Sequence, residues 1–160
     1  MSIATPTRPL ATRDRALSVH ALVDIVAGLA DAPSLWDGLL PSLGGDRSSV
    51  RLLETEAYDV WLIGWPPGTR VEPHDHGNSA GAFAVVQGTL TEYRWFPRPR
   101  SRTVQAGGIV TIEARVVHDV VADRPEDGPA ISVHAYSPRL REMGFYSDDA
   151  ARLLTRVAVH

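Results

Sequence analysis

The sequence predicts a mainly β fold, a small β-barrel or double-sheet jelly roll preceded by N-terminal helices, and three observations predict it. Leu22, Ile25, Val26 and Leu29 recur at the i, i+3, i+4, i+7 spacing of one helix face, and Pro33 closes that pattern. From Ser49 onward, short runs rich in β-branched and aromatic residues succeed one another. Gly and Pro punctuate nearly every gap between them, as expected of many short antiparallel strands.

The elements follow in chain order. Residues 1–15 contain Pro6, Pro9 and several Thr and Arg but no apolar core of the kind a secretory signal carries, so they are expected to form a flexible lead-in. Residues 16–160 are expected to form one domain, with a helical preface over 17–45 and a barrel over about 49–138; 160 residues suffice for one substantial core. A second short helix is expected around Leu35 to Leu40. Strands are expected near Arg51–Leu53, Tyr58–Trp65, Ala82–Val86, Thr89–Trp95, Thr103–Gln105, Ile109–Ile112, His118–Val121 and Ile131–Tyr136. Gln87-Gly88 and Gly107-Gly108 read as tight hairpin turns, and Arg124 to Pro129 as a longer polar loop before the last strand. Asp148 to Val159 reads as one amphipathic helix, and no internal repeat or low-complexity segment is evident.

Composition removes several chemistries. There is no cysteine, hence no disulfide framework, thiolate metal site or cysteine nucleophile; a reducing compartment, the cytoplasm, is the expected setting. All 16 basic residues are Arg, which excludes Schiff-base lysines and a Walker-type phosphate lysine. The net charge is −3, and although Arg94, Arg98, Arg100 and Arg102 cluster locally, no broad basic face is evident; nucleic acid is not an expected partner. No run approaches the roughly 18 to 20 apolar residues of a membrane helix, and no membrane partner is expected. Oligomeric state is not legible.

The chemistry concentrates around His74-Asp75-His76. In an extended strand a His-x-His pair sets both imidazoles on one face, roughly 6 to 7 Å apart, a chelating geometry; alternation turns Asp75 away. The same period puts Ser132, His134 and Tyr136 on one face of the last expected strand, where they can form a hydrogen-bonded chain. His20 and His160 lie outside the strand region and read as ordinary.

Gly68-x5-His74-x-His76-x11-Gly88 resembles the first cupin motif, and Gly107 stands where the second begins, with His118 at its histidine position. Most metal cupins carry a ligand Glu four residues after the His-x-His pair, where this chain has Gly81. Glu113 and Arg115 replace the second motif's Pro and Gly, and Ala122 its Asn. Three-histidine cupins without that Glu resemble the thiol dioxygenases, and Ser132-Val133-His134-Ala135-Tyr136-Ser137-Pro138 matches the Ser-x-His-x-Tyr-Ser-Pro signature of the cysteine dioxygenase family. The resemblance covers Arg51 to Pro138, roughly half of the chain.

It implies a cupin barrel holding non-haem Fe(2+) on His74, His76 and His118. The implied reaction oxidises L-cysteine to cysteine sulfinate with both atoms of O2, without reductant or organic cofactor; another small thiol such as 3-mercaptopropionate is the alternative. Ser132, His134 and Tyr136 are the implied catalytic chain, Tyr136 orienting the bound thiolate or O2, while His134 stays open as a third ligand in place of His118. The family's vertebrate members cross-link this tyrosine to a cysteine whose position here is Gly81, so no such cross-link can form. A substrate carboxylate calls for an Arg fork. Arg51, upstream of the first metal strand as the family's carboxylate-binding Arg is, is the candidate; Arg70 is second by its proximity to His74, and Tyr58 or Trp61 could line the pocket. Readings from other classes are a non-catalytic metal- or ligand-binding cupin with Zn or Ni, and an isomerase or carbon-cleaving dioxygenase, which usually keeps the acidic ligand missing at Gly81.

Overall fold

The computed structural model describes residues 16–42, 46–124, 126 and 128–160. The lead-in expected over 1–15 and the end of the helical preface, 43–45, lie outside the described residues. The chain opens with α1 (Val19–Ala30), capped by Ser18 Oγ, which accepts from Ala21 N at 3.2 Å. Leu22 and Val26, one turn apart, are fully buried. Pro33 ends the helical pattern as expected, but the second helix is replaced by two 3-10 segments, Pro33–Leu35 and Asp37–Ser42. Gly38 and Pro41 fall within the latter, and both weaken a full α-turn.

Eleven strands follow among the described residues: β1 (Ser48–Glu54), β2 (Asp59–Trp65), β3 (Arg70–Asp75), β4 (Ala80–Gln87), β5 (Thr89–Arg94), β6 (Arg100–Gln105), β7 (Ile109–Ile112), β8 (His118–Val121), β9 (Ala130–Ser137), β10 (Glu142–Tyr146) and β11 (Leu153–Ala158). They form two antiparallel sheets ordered β1-β2-β9-β4-β7 and β11-β10-β3-β8-β5-β6. The mainly β fold with an N-terminal helix is thus as expected, built as two facing sheets rather than a closed barrel.

The five-stranded sheet is covered on both faces. Val60, Leu62, Ala82, Ala84, Val133 and Ala135 pack outward against Leu22 and Val26 of α1. The alternate positions, among them Ile63, Trp65, Phe83 and Val85, pack inward against Val71, Leu90 and Val120 of the other sheet. Strands buried on both faces read as nearly continuous apolar runs, as Val60 to Trp65 does. On β9 the same alternation sends Ser132, His134 and Tyr136 inward.

Three expectations are corrected. Gln87-Gly88 and Gly107-Gly108 are not hairpin turns, because β4 and β7 belong to one sheet and β5 and β6 to the other. Both turns are corners carrying the chain between sheets. They lie side by side, Ala106 N bonding Gly88 O at 3.1 Å and Gly107 N bonding Val85 O at 2.9 Å. Gly88 has φ +70°, and a Cβ there would lie 2.9 Å from Pro129 O, so the corner admits only glycine. Lastly, the helix expected over Asp148–Val159 is a turn followed by β11. Ser147 Oγ and Asp149 Oδ1 capture the backbone N–H groups of Arg152 and Ala151, reversing the chain. The returning segment pairs antiparallel with β10, a strand for which the sequence carries no alternation signal of its own.

Candidate metal centre

His74, His76 and His118 converge from two strands between the sheets. His74, the next-to-last residue of β3, pairs directly with His118 at the start of β8, while His76 follows one alternation later, just beyond the strand. Their ring centroids lie 4.6 to 5.1 Å apart, and one ring nitrogen of each lies within 4.8 Å of the others. All three are buried. Asp75 points away, as alternation requires: it accepts from Tyr146 OH at 2.5 Å, from Gly77 N at 2.8 Å and from Arg156 Nη1 at 3.2 Å. Burial would raise its carboxyl, but those donors outweigh it and hold it below the usual carboxylate range.

The ring nitrogens are oriented by partners outside the cluster. His74 Nδ1 donates to the Glu72 carbonyl at 2.8 Å, leaving its Nε2 lone pair for the centre. Glu92 Oε1 lies 2.9 Å from His118 Nδ1, and Glu92 also accepts from Arg94 Nε at 3.1 Å and Arg102 Nε at 2.7 Å. Burial would raise Glu92, but His118, Arg94 and Arg102 hold its carboxyl below the usual range. His118 Nε2 and His76 Nδ1 are buried with no partner. Burial, reinforced by the neighbouring imidazoles, holds His74 and His76 well below the usual histidine range, so both are neutral at pH 7. Three buried imidazoles, two of them with orphaned ring nitrogens, fit a borderline transition metal such as divalent iron.

His134 stands beside this cluster but outside it. Its Nε2 lies 2.8 Å from Ser132 Oγ and its Nδ1 3.0 Å from Tyr136 OH, so both ring nitrogens are engaged. The ring stacks on Phe83 at 4.8 Å, and burial pushes its pKa down to about 3. Trp65 Nε1 donates to Ser132 Oγ at 2.8 Å, extending the chain by a member that the sequence reading missed. At the other end the Tyr136 ring lies 4.7 Å from that of His76, and burial pushes the phenol far above its ordinary value.

A cavity of about 230 Å³ opens on the three histidines and Tyr136. Its walls are mostly apolar, with Trp61, Ile63, Val71, Leu140 and Met143, and among the described residues its lining includes one cation, Arg47. The Arg47 guanidinium sits 4.8 Å over the Trp65 ring. The structure brings neither Arg51 nor Tyr58 to this lining. Arg51 lies over Trp61 at 4.5 Å and is ion-paired with Glu54, while Tyr58 packs in the core on the helix side of the sheet. Arg70 is drawn to Asp119, with Nη2 2.6 Å from Oδ2. Trp61 does line the cavity. Arg47 stands one residue before β1, outside the apolar strand pattern that makes Arg51 legible in the sequence.

Among the described residues, no helix is long and apolar enough to cross a membrane. Solved structures place the fold among the cupins. A Klebsiella pneumoniae protein with a double-stranded β-helix domain is 22% identical with TM-score 0.52, over 59% of this chain and 79% of that one. A Leptotrichia buccalis cupin 2 conserved barrel domain protein is 16% identical with TM-score 0.51, over 58% of this chain and 41% of that one. A recombinant oxalate oxidase in complex with glycolate is 17% identical with TM-score 0.53, over 63% of this chain and 55% of that one. No curated protein matches the chain. The family model for cysteine dioxygenase type I matches residues 12–149, which together with the three-histidine cluster supports a metal-dependent thiol dioxygenase. The chain belongs to the cysteine dioxygenase type I family.

Proposed function

We propose that the chain is an iron-dependent thiol dioxygenase, acting in a reducing compartment such as the cytoplasm and converting L-cysteine to cysteine sulfinate. The observation that carries this reading is the convergence, among the described residues, of three buried histidines, the Tyr136 phenol and Arg47 on one cavity. In the overall change, RSH + O2 → RSO2H, sulfur loses four electrons and both oxygen atoms gain them, so no further reductant enters. Fe(2+) would be held by His74, His76 and His118, and when bound it acidifies a coordinating thiol and activates dioxygen.

The chain's own residues bind, orient and exclude water. Arg47 offers a guanidinium fork to the substrate carboxylate, a role that moves to it from Arg51 because Arg47 lines the cavity and Arg51 is held by Glu54. Ser132 accepts from Trp65, which frees its own hydrogen for His134 Nε2. In that tautomer His134 Nδ1–H donates to the Tyr136 oxygen, and the phenol hydrogen points toward the reacting atoms as a donor to developing negative charge. The apolar wall of Trp61, Ile63, Val71 and Met143 keeps the site dry and strengthens each of these contacts.

A second reading, 3-mercaptopropionate, draws support from the lining itself, which among the described residues includes one cation and no carboxylate to receive a substrate ammonium. Anaerobically iron-loaded protein mixed with each thiol, then exposed to oxygen, tests both readings through O2 uptake and sulfinate measured by mass spectrometry. Stoichiometric sulfinate from L-cysteine supports the first, and sulfinate from 3-mercaptopropionate alone supports the second. No uptake with any thiol despite confirmed iron would leave a ligand-binding cupin.

A further inference from the structure

Glu92 is fully buried, yet it lies off the substrate cavity. It lines a separate small cleft between β5 and β6, with Arg94 and Arg102. Strand pairing puts it there: Arg94 of β5 faces His118 of β8, and Glu92 faces Val120 two residues along. A carboxylate buried this deeply is costly unless every oxygen is satisfied, and here both are, by two guanidiniums and one imidazole.

We infer that Glu92 is a positioning residue of the metal centre, holding His118 as its Nδ1–H tautomer and aiming Nε2 at the metal. The inference rests on the three-histidine reading above. A neutral imidazole carries one N–H; with that hydrogen committed to Glu92, the lone pair is on Nε2, the atom left buried without a partner. His74 is oriented by a backbone carbonyl in the same sense, so the two facing histidines present matching nitrogens. Orientation is the dominant contribution, because the two arginines offset the charge that the carboxylate could otherwise lend to the metal. Glu92 does not replace the acidic ligand absent at Gly81, since His118 stands between it and the centre.

Co2+ tests this without reliance on turnover. Affinity is measured by competition with a chelating indicator, and ligand geometry by the visible spectrum of the Co2+-loaded protein. Glu92→Ala is expected to weaken Co2+ roughly 10- to 100-fold and to alter the spectrum. Glu92→Gln, whose amide oxygen still accepts from His118 Nδ1, is expected to stay close to the unsubstituted protein in both. Arg102→Ala removes a half-exposed partner of the carboxylate but leaves the His118 bond; it is expected to lower the unfolding temperature at most. If Glu92→Ala fails to fold because Arg94 loses its partner, Glu92→Asp decides the matter by withdrawing the carboxylate one methylene. Its expected result is the same altered spectrum with a smaller affinity loss. Unchanged affinity and spectrum in the folded alanine or aspartate variant would overturn the inference, as would losses in Arg102→Ala matching those in Glu92→Ala. Failure of the unsubstituted protein to bind Co2+ would overturn the metal reading and this inference together.

Discussion

Gly81 and Tyr136 are paired across β4 and β9, and a Cβ on residue 81 would lie 2.9 Å from two carbons of the tyrosine ring. The site therefore uses the missing side chain: the volume that an acidic ligand would occupy is filled by the phenol. Loss of the carboxylate and placement of Tyr136 beside His76 are one packing choice.

Gly81→Glu is accordingly expected to displace Tyr136 rather than complete a four-ligand site. Overpacking of this kind costs about 1–3 kcal/mol. Metal analysis should find iron retained while O2 uptake falls by roughly 10²-fold, the scale of losing one positioned donor. A gain of metal affinity with activity intact would show that residue 81 can ligate.

Tyr136→Phe keeps the ring and removes only the oxygen. Iron content should be unchanged and kcat should drop roughly 10²- to 10³-fold. His134→Ala should behave alike, retaining metal, because both of its ring nitrogens are spent on Ser132 and Tyr136. His118→Ala should lose metal and activity together. Metal lost from His134→Ala but kept in His118→Ala would exchange their roles.

Arg47→Ala should raise KM for carboxylate-bearing thiols. A charge-assisted hydrogen bond is worth about 1.5–3 kcal/mol, or roughly 10- to 150-fold. Arg51→Ala should leave the kinetics near those of the unsubstituted protein, since its partner Glu54 is half-exposed. Steady-state kinetics on both variants decides between them; the reverse ranking would return the carboxylate to Arg51.

The metal-free protein should be acid-sensitive. Burial holds His134 at about 3 in the fold, against about 6.5 in an unfolded chain. Between these values the unfolded state binds a proton that the native state does not, so stability is lost as pH falls from 6.5 toward 3. The slope is about 1.4 kcal/mol per pH unit for this histidine alone. Urea unfolding at pH 7, 6 and 5 measures the total, to which the buried His74 and His76 add slopes of the same sign, and His134→Gln should lower it by about that 1.4 kcal/mol per pH unit; an equal slope in that variant would assign the sensitivity to the other histidines.

Local patterns were enough for much of this protein. The i, i+3, i+4 apolar stripe announced α1, alternation on β9 put Ser132, His134 and Tyr136 on one face, and the His74-x-His76 spacing marked two of the clustered histidines, His118 being added by the motif resemblance. These features repeat within a strand or a turn, where φ, ψ and side-chain period leave little choice. Tertiary structure alone decided what depends on distant segments meeting. Whether a glycine corner makes a hairpin or crosses between sheets depends on which strand waits beyond it, as at Gly88 and Gly107. Asp148 to Val159 became a turn and strand because β10 offered an edge and Ser147 and Asp149 captured the turn. Arg47 rather than Arg51 reaches the cavity because Glu54 captures the latter, and Glu92 meets His118 only because β5 is paired beside β8. Such contacts join residues tens of positions apart, and no local period encodes them.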